Sequence, residues 1–187
     1  MSNIVRSKSS DAAALTEIAK AAKSCWGYPK EWMEKWDGEL TLTGKDAEEN
    51  FVFHIEQEGK IMGFYSLSED GGLFEVEHMW ISPEYIDKGF GKALFEHAKE
   101  IALRHGGKKL RVESDPHAEG FYVKMGMRRV SEKESSIPGL PGRMIPIFEK
   151  ELELSTCPPQ GWTWGVLCFE KKNKAIYFDV GTHEIYK

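Results

Sequence analysis

Apolar residues recur at two periods along this chain, and the switches between the periods mark out its elements. Residues 3–7 read as a short first strand. Leu15, Ile18, Ala19 and Ala22 share one face of a helix expected over residues 12–24, with Ser10 or Asp11 placed to cap it. A second helical stretch is expected over residues 29–40, with a proline in its first turn and Trp32 and Trp36 one turn apart. Residues 51–57 and 60–68 alternate as strands around a Glu58-Gly59 turn, and residues 73–81 form a third long strand after Gly71-Gly72. Beyond Ile81 the period becomes helical again. Phe90, Leu94, Ala98, Ile101 and Ala102 form a buried stripe that reaches about His105, where Gly106-Gly107 ends it. Residues 109–113 then read as a strand and residues 118–125 as a short helix closed by Gly126. Residues 128–131 and 148–154 read as further strands. The order is mixed α/β, with strand–helix–strand units in the middle, and makes one domain of residues 1–153.

The segment that follows differs in character. STCPPQG reads as a linker or a sharp turn, and residues 162–170 and 175–180 as a β-hairpin extension within residues 154–187. Both faces of this hairpin are apolar, with Trp162, Trp164 and Val166 alternating with Leu167 and Phe169. That pattern points to burial on both sides, either on the parent domain or in a homodimer.

Bulk properties narrow the function. A chain of 187 residues suits one domain with a full core, and 41% hydrophobic with 29% charged residues is an ordinary soluble composition. A formal net charge of −5 argues against a general grip on nucleic acid but leaves room for a small polyanion held locally. No apolar run approaches the ~20 residues that span a bilayer. Residues 1–14 lack the apolar core of a signal peptide, so no membrane contact and a cytoplasmic location are expected. Cys25, Cys157 and Cys168 are spaced for neither a zinc site nor a disulfide framework. Reduced thiols are expected, with a Cys157–Cys168 bridge as the alternative. No metal site is expected.

The stretch richest in chemistry is ISPEYIDKGFGKAL, residues 81–94. Gly89 and Gly91 let the backbone approach a ligand closely. The helix after them offers unpaired N–H groups and the positive end of its dipole, which together suit a phosphate. Lys88, Lys92 and Lys124 stand where they could assist, or are ordinary solvated lysines.

The run from His78 to Val130 resembles the GCN5-related N-acetyltransferase (GNAT) superfamily. Three motifs carry the likeness: MWISP at the strand end, DKGFGKAL, and DPHAEGFYVKMGM. CWGYPKEWMEKWDGELTLT and SSIPGLPGRMIPIFEKEL look like a bacterial-type subgroup of small members, so the likeness covers about residues 3–153. It implies the GNAT fold, a central mixed, mostly antiparallel twisted sheet flanked by helices. It implies acetyl-coenzyme A (acetyl-CoA) as donor and an amine of a small molecule or peptide as acceptor. By the same resemblance the pyrophosphate lies on the backbone of Asp87, Lys88, Gly89, Phe90, Gly91 and Lys92, and the pantetheine along Met79, Trp80 and Ile81. His117 and Phe121 belong to the second cofactor segment. His117 stands where the family usually has asparagine, and either contacts the pantetheine or caps the short helix. Ile86 occupies a position commonly held by Arg or Gln, and Asp87 one where glycine is frequent. That departure supports the alternative of an acyl-CoA-binding sensor without turnover.

The chemistry asks for a base and an acid. An alkyl ammonium with a pKa near ~10.4 must lose a proton before it attacks, and a carboxylate can take it directly or through water. By strand alternation Glu75 and Glu77 share a face unless a bulge intervenes. Glu77 is the first candidate base and Glu75 the second. A solvated or salt-bridged strand glutamate is the equal alternative. His78 falls on the opposite face as a packed histidine, and His54 sits mid-strand with no partner evident in the sequence. The resemblance makes Tyr122 the general acid for the departing thiolate. A phenol with a pKa of about 10 keeps its proton at neutral pH. Backbone N–H groups near residues 79–81 would serve as oxyanion donors. Trp26, Tyr28 and Trp32 are the candidates for lining an acceptor pocket, although core packing is expected for most aromatics of this region. Glu31, Glu34, Asp37 and Glu39 would favour a cationic acceptor.

Overall fold

Seven strands carry the pattern of apolar alternation into one sheet: β1 (Asn3–Arg6), β2 (Phe51–Gln57), β3 (Lys60–Asp70), β4 (Leu73–Ile81), β5 (Lys109–Glu113), β6 (Arg128–Glu134) and β7 (Met144–Glu151). The computed structural model describes residues 3–135, 142–153, 169–170 and 175–176. The sheet order is β1-β2-β3-β4-β5-β7-β6. Its one parallel pair is β4 with β5, because a helical crossover joins them. The other neighbours are antiparallel. The mixed, mostly antiparallel sheet expected from the sequence is present.

Helices cover both faces. The crossover helix α5 (Phe90–Arg104) lays Leu94, Phe95, Ala98 and Ala102 on Tyr65, Leu67, Phe74 and Val76. On the other face α1 (Ala12–Ser24) buries Leu15 and Ala19 with Val52 and Phe64, joined by Trp36 and Leu40. Leu15, Phe64, Phe74, Phe95 and Phe148 are fully enclosed. Enclosing each such side chain is worth roughly 1.5–3 kcal/mol relative to leaving it in water.

Several boundaries differ from expectation, each for a physical reason. The single helix expected over residues 29–40 is two short ones, α2 (Lys30–Lys35) and α3 (Asp37–Leu40), hinged at Trp36 with Gly38 weakening the second. An unforeseen helix, α4 (Gly44–Glu49), starts at a capping box in which Thr43 Oγ1 accepts from Asp46 N and Asp46 Oδ2 accepts from Thr43 N. Strand β7 begins at Met144 rather than 148, so Pro146 lies inside it. Pro146 O accepts from Ser114 N, so its nitrogen faces the same side, just past the last β5 pair, Glu113 with Ile147. The donor that proline lacks therefore meets no strand there. The last short helix, α6 (Glu119–Lys124), follows a 3-10 turn at Pro116–Ala118.

The described residues separate into two compact units, Met1–Leu152 and Glu153–Lys187. In the second, β8 (Phe169–Glu170) and β9 (Ala175–Ile176) pair antiparallel, with Phe169 opposite Ile176. The remainder of the hairpin expected over residues 162–180, with Cys157 and Cys168, lies outside the described residues.

Candidate active site

A gap opens in the sheet where β4 leaves β5. Their parallel pairing ends at Val76 with Val112, while β4 continues beside β3 to Ile81, opposite Gly63. From Glu77 to Ile81 the edge of β4 that faced β5 has no strand beside it among the described residues. An extended polar chain can pair with such an edge in the manner of an added strand. Met79 and Ile81 lean toward the α5 side of the sheet, and Trp80 toward the α1 side.

A bulge sits at the start of this gap. Ser66 stands opposite His78 and the next residue, Leu67, opposite Val76, so Glu77 is the extra residue on β4. The bulge shifts the alternation by one. His78 and Trp80 come to the same cleft as Glu77. The expectation that His78 lies on the opposite face from Glu77 is thus corrected: strict alternation fails at a bulge. Glu77 is exposed and accepts a hydrogen bond from Ser68 Oγ at 2.6 Å. Glu75 is tied instead to Arg111, 3.9 Å away, and burial raises its pKa despite that charge.

The cleft at the bulge has a volume of about 380 Å³. Strand β4 supplies Glu77, His78 and Trp80, and the end of β5 supplies Glu113, Ser114 and Asp115. Lys23 of α1 and Trp36, Glu39 and Leu40 of α2–α3 form a second wall. Lys133, Arg143 and Ile145 close the β6–β7 side. Lys133 Nζ lies 2.5 Å from Glu113 Oε2.

One end of the cleft is a buried charge cluster. Asp115 Oδ2 lies 2.5 Å from Lys23 Nζ and 2.6 Å from Arg143 Nη2. Asp115 Oδ1 accepts from Tyr28 OH at 2.9 Å and from His117 N at 3.0 Å, the latter capping the 3-10 turn. The side chains of Lys23, Asp115 and Arg143 are 8%, 6% and 10% exposed. Lys23 Nζ and the Arg143 guanidinium both lie over the Trp36 ring, 4.2 and 5.0 Å from its centre. Burial lowers the pKa of Lys23, with Asp115 offsetting it only in part and Arg143 adding to it. For Asp115, burial acts upward, but the attraction of Lys23 and the hydrogen bonds win and hold it below the usual carboxylate value.

The glycine turn lies beyond Ile81. The amides of Asp87, Lys88, Gly89, Phe90, Gly91 and Lys92 have no acceptor among the described residues, and the first helical bond there is Ala93 N to Gly89 O at 3.1 Å. Gly89 has φ +86° and Asp87 φ +62°, both left-handed. A Cβ at Gly91 would come within 3.2 Å of the Phe121 ring, so the two sequence motifs touch. This row of free amides fits a pyrophosphate, and the neighbouring free edge of β4 fits the amide-bearing arm of a coenzyme A. Lys88 lies over the Tyr85 ring at 5.0 Å, and Lys92 and Lys124 are exposed.

Tyr122 packs among Phe95, Phe121 and Phe148, and burial alone pushes its pKa above the ordinary tyrosine value. Of the aromatics proposed for an acceptor pocket, Tyr28 reaches the cleft through its bond to Asp115. Trp26 stacks on His117 at 5.6 Å and lies 5.7 Å from Trp80, while Trp32 stacks on Tyr28 at 5.8 Å and meets the edge of Trp36. Of the acidic residues of α2 and α3, Glu39 lines the cleft, while Asp37 pairs with Lys20 and Glu34 with Lys30. Lys23 and Asp115 were not anticipated as site residues, whereas Arg143 ends the segment 135–143 that the sequence reads as a loop able to border the acceptor cleft, and it does line the cleft. A signal for Lys23 existed, because it falls eight residues after Leu15 on the buried stripe of α1. Among the described residues no group of three or more His, Cys, Asp or Glu could hold a metal, and no helix is long and apolar enough to cross a membrane.

Known proteins share this fold. The acetyltransferase (GNAT) family matches residues 13–127. An uncharacterised N-acetyltransferase from Lactobacillus delbrueckii subsp. lactis is 27% identical over 111 residues, 53% of this chain; the chain spans 61% of that relative's length. Among solved structures, a GCN5-related N-acetyltransferase from Rhodopseudomonas palustris aligns with a TM-score of 0.66 at 20% identity, over 80% of this chain and 95% of that one. The PaiA N-acetyltransferase from Thermoplasma acidophilum, in complex with coenzyme A, aligns with a TM-score of 0.64 at 19% identity, over 81% and 99%. At these identities the structures speak for the fold. The match of sequence motifs to most of the main unit speaks for descent, and the chain belongs to the acetyltransferase (GNAT) family.

Proposed function

We propose that the protein is an N-acetyltransferase that moves an acetyl group from acetyl-CoA to a primary amine of a small molecule or peptide. The observation that carries this reading is the continuity of the free amides at 87–92, the free edge of β4 at 77–81 and the cleft at the Glu77 bulge. The residues named for the donor are Asp87 to Lys92 by their backbone, Met79, Trp80 and Ile81 by theirs, and Phe121 at the contact with Gly91. When bound, the donor supplies an activated thioester carbonyl.

In this reading Glu77 takes the proton from the acceptor ammonium, directly or through water, so that the neutral amine attacks. Its exposure and its single hydrogen bond to Ser68 leave lone pairs for that task. Amides of the free β4 edge receive the developing negative oxygen. Tyr122 offers its O–H to the departing sulfur. Burial keeps that proton on the phenol through the physiological range. Tyr28 and Trp32 support the acceptor wall at Trp36, and Trp26 supports it at Trp80. We place the protein in the cytoplasm, alone or as a homodimer, and the exposed free thiol of Cys25 fits a reducing compartment.

The test is acyl-CoA-dependent thiol release against polyamines, amino acids, aminoglycosides and peptides. Acceptor-dependent release with at least one class is expected. Tight acetyl-CoA binding with no release for any acceptor would favour the alternative of a sensor, which the exposed Ile86 and the acidic Asp87 beside the amides support.

A further inference from the structure

The cluster at the end of the cleft holds two buried cations against one buried carboxylate. Asp115 is saturated, because Oδ2 already bridges Lys23 and Arg143 and Oδ1 serves Tyr28 and His117. Buried charge is expensive unless it is paired, and here one positive charge is left over. Glu39, also in the cleft, is exposed and forms no ion pair with Lys23 or Arg143, each of which pairs with Asp115, and Lys133 is taken by Glu113. Lys23 and Arg143 both line the cleft, so the surplus charge faces the space an acceptor would fill. An arginine fork has donors to spare after one bond to Asp115, and its plane suits a second carboxylate.

We propose that the acceptor carries a carboxylate as well as its amine, and that Lys23 and Arg143 hold that carboxylate while the amine lies toward Glu77. This rests on the reading of the cleft as the acceptor site. It amends the expectation of a cationic acceptor, because of the acidic residues behind that expectation only Glu39 lines the cleft, while Asp37 and Glu34 pair with lysines. An amino acid or a small amino-carboxylic acid is the class that fits. Trp36 lies under both cations and covers one side of each.

The experiment compares matched acceptors: amino acids, their carboxamides, the corresponding decarboxylated amines and phosphorylated amines of the same length. Thiol release is followed for each, and binding of the same compounds to the free enzyme is measured by calorimetry. Carboxylates are expected to have kcat/KM at least ~10-fold above their carboxamides, mostly through KM, as one charge-assisted bidentate contact would give. Arg143→Gln and Lys23→Met should erase that ratio, and Arg143→Lys should restore part of it. The ratio is internal to each folded sample, and the wild-type ratio decides the matter if a variant fails to fold. Equal rates for acids and amides, or a preference for phosphorylated amines, would overturn the carboxylate assignment while leaving acetyl transfer intact. Carboxylate-selective binding without any thiol release would uphold it while ending the reading of the protein as an acetyltransferase.

Discussion

Trp80 Nε1 donates a hydrogen bond to His78 Nδ1 at 3.2 Å on the cleft face of β4. An indole N–H can only donate, so Nδ1 keeps its lone pair and the neutral ring carries its proton on Nε2. Burial holds the His78 pKa below its ordinary value, which keeps the ring neutral at physiological pH. The histidine beside Glu77 is thus a donor, which fits the proposal that the base is the carboxylate. His78→Gln, which retains a donor, is expected to lower kcat by less than ~10-fold and to leave the acidic limb of the pH–rate profile in place. Loss of that limb would make His78 the base.

Glu77→Gln is the complementary change. It removes the proton acceptor but keeps the shape and the partner Ser68. A fall in kcat of about 10²- to 10⁴-fold is expected, with the acetyl-CoA dissociation constant unchanged. Because Glu77 is exposed and sits on a bulge, the melting temperature should stay within a degree or two of wild type. Single-turnover acetyl transfer and a donor-binding titration separate these quantities.

The Tyr122 hydroxyl makes no hydrogen bond to the described residues, so it contributes nothing to the fold that a phenylalanine would lose. Tyr122→Phe should leave stability unchanged or slightly raised. If the hydroxyl serves the leaving sulfur, kcat falls about 10-fold or more while Tm holds. Full kcat retained across the alkaline range would remove Tyr122 from the mechanism.

Stability should fall in mild acid through two histidines. Burial lowers the pKa values of both His78 and His97, the latter also bonded through Nδ1 to Tyr65 OH at 2.7 Å. In the unfolded chain each titrates near ~6.5. Between that value and its lower folded value, the unfolded state binds more protons, so lowering the pH favours unfolding. The full contribution is present above about pH 6.5 and is lost as the pH drops through the folded pKa values. Asp115, also held low, acts in a separate window, below about pH 3.9. Urea unfolding from pH 7.5 to 5 should show a declining midpoint, and His78→Gln with His97→Gln should flatten it.

The sheet, the crossover helix and the glycine turn were legible because each rests on local chemistry: alternation, a 3.6-residue stripe, and glycines where the backbone must turn. The bulge at Glu77 was not, since it arises from pairing with β3 and leaves no mark in the spacing of β4 itself. The charge cluster joins α1, the end of β5 and the start of β7, three segments far apart in sequence, and only packing reveals it. Thr43 and Asp46 did announce α4 through the capping box, but the helix is only six residues long and carries one buried apolar residue, Ala47, too little for a periodic signal.

Asp87 offers the sharpest test of the donor site. Its φ of +62° is left-handed, a conformation that costs an L-residue about 1 kcal/mol and glycine almost nothing. Its carboxylate also stands next to amides that would bind a pyrophosphate, where a like charge weakens the complex. Asp87→Gly should therefore raise stability or leave it unchanged, because relief of the backbone opposes the added freedom of the unfolded chain. Acetyl-CoA should bind several-fold more tightly to this variant, and the gain should shrink as salt is raised. Gly89→Ala, at φ +86°, should act the other way, with a loss of about 1 kcal/mol in stability and weaker donor binding. Titration of both variants with acetyl-CoA at two ionic strengths checks the pair of predictions. An Asp87→Gly variant with unchanged affinity at low salt would show that the donor phosphates lie elsewhere.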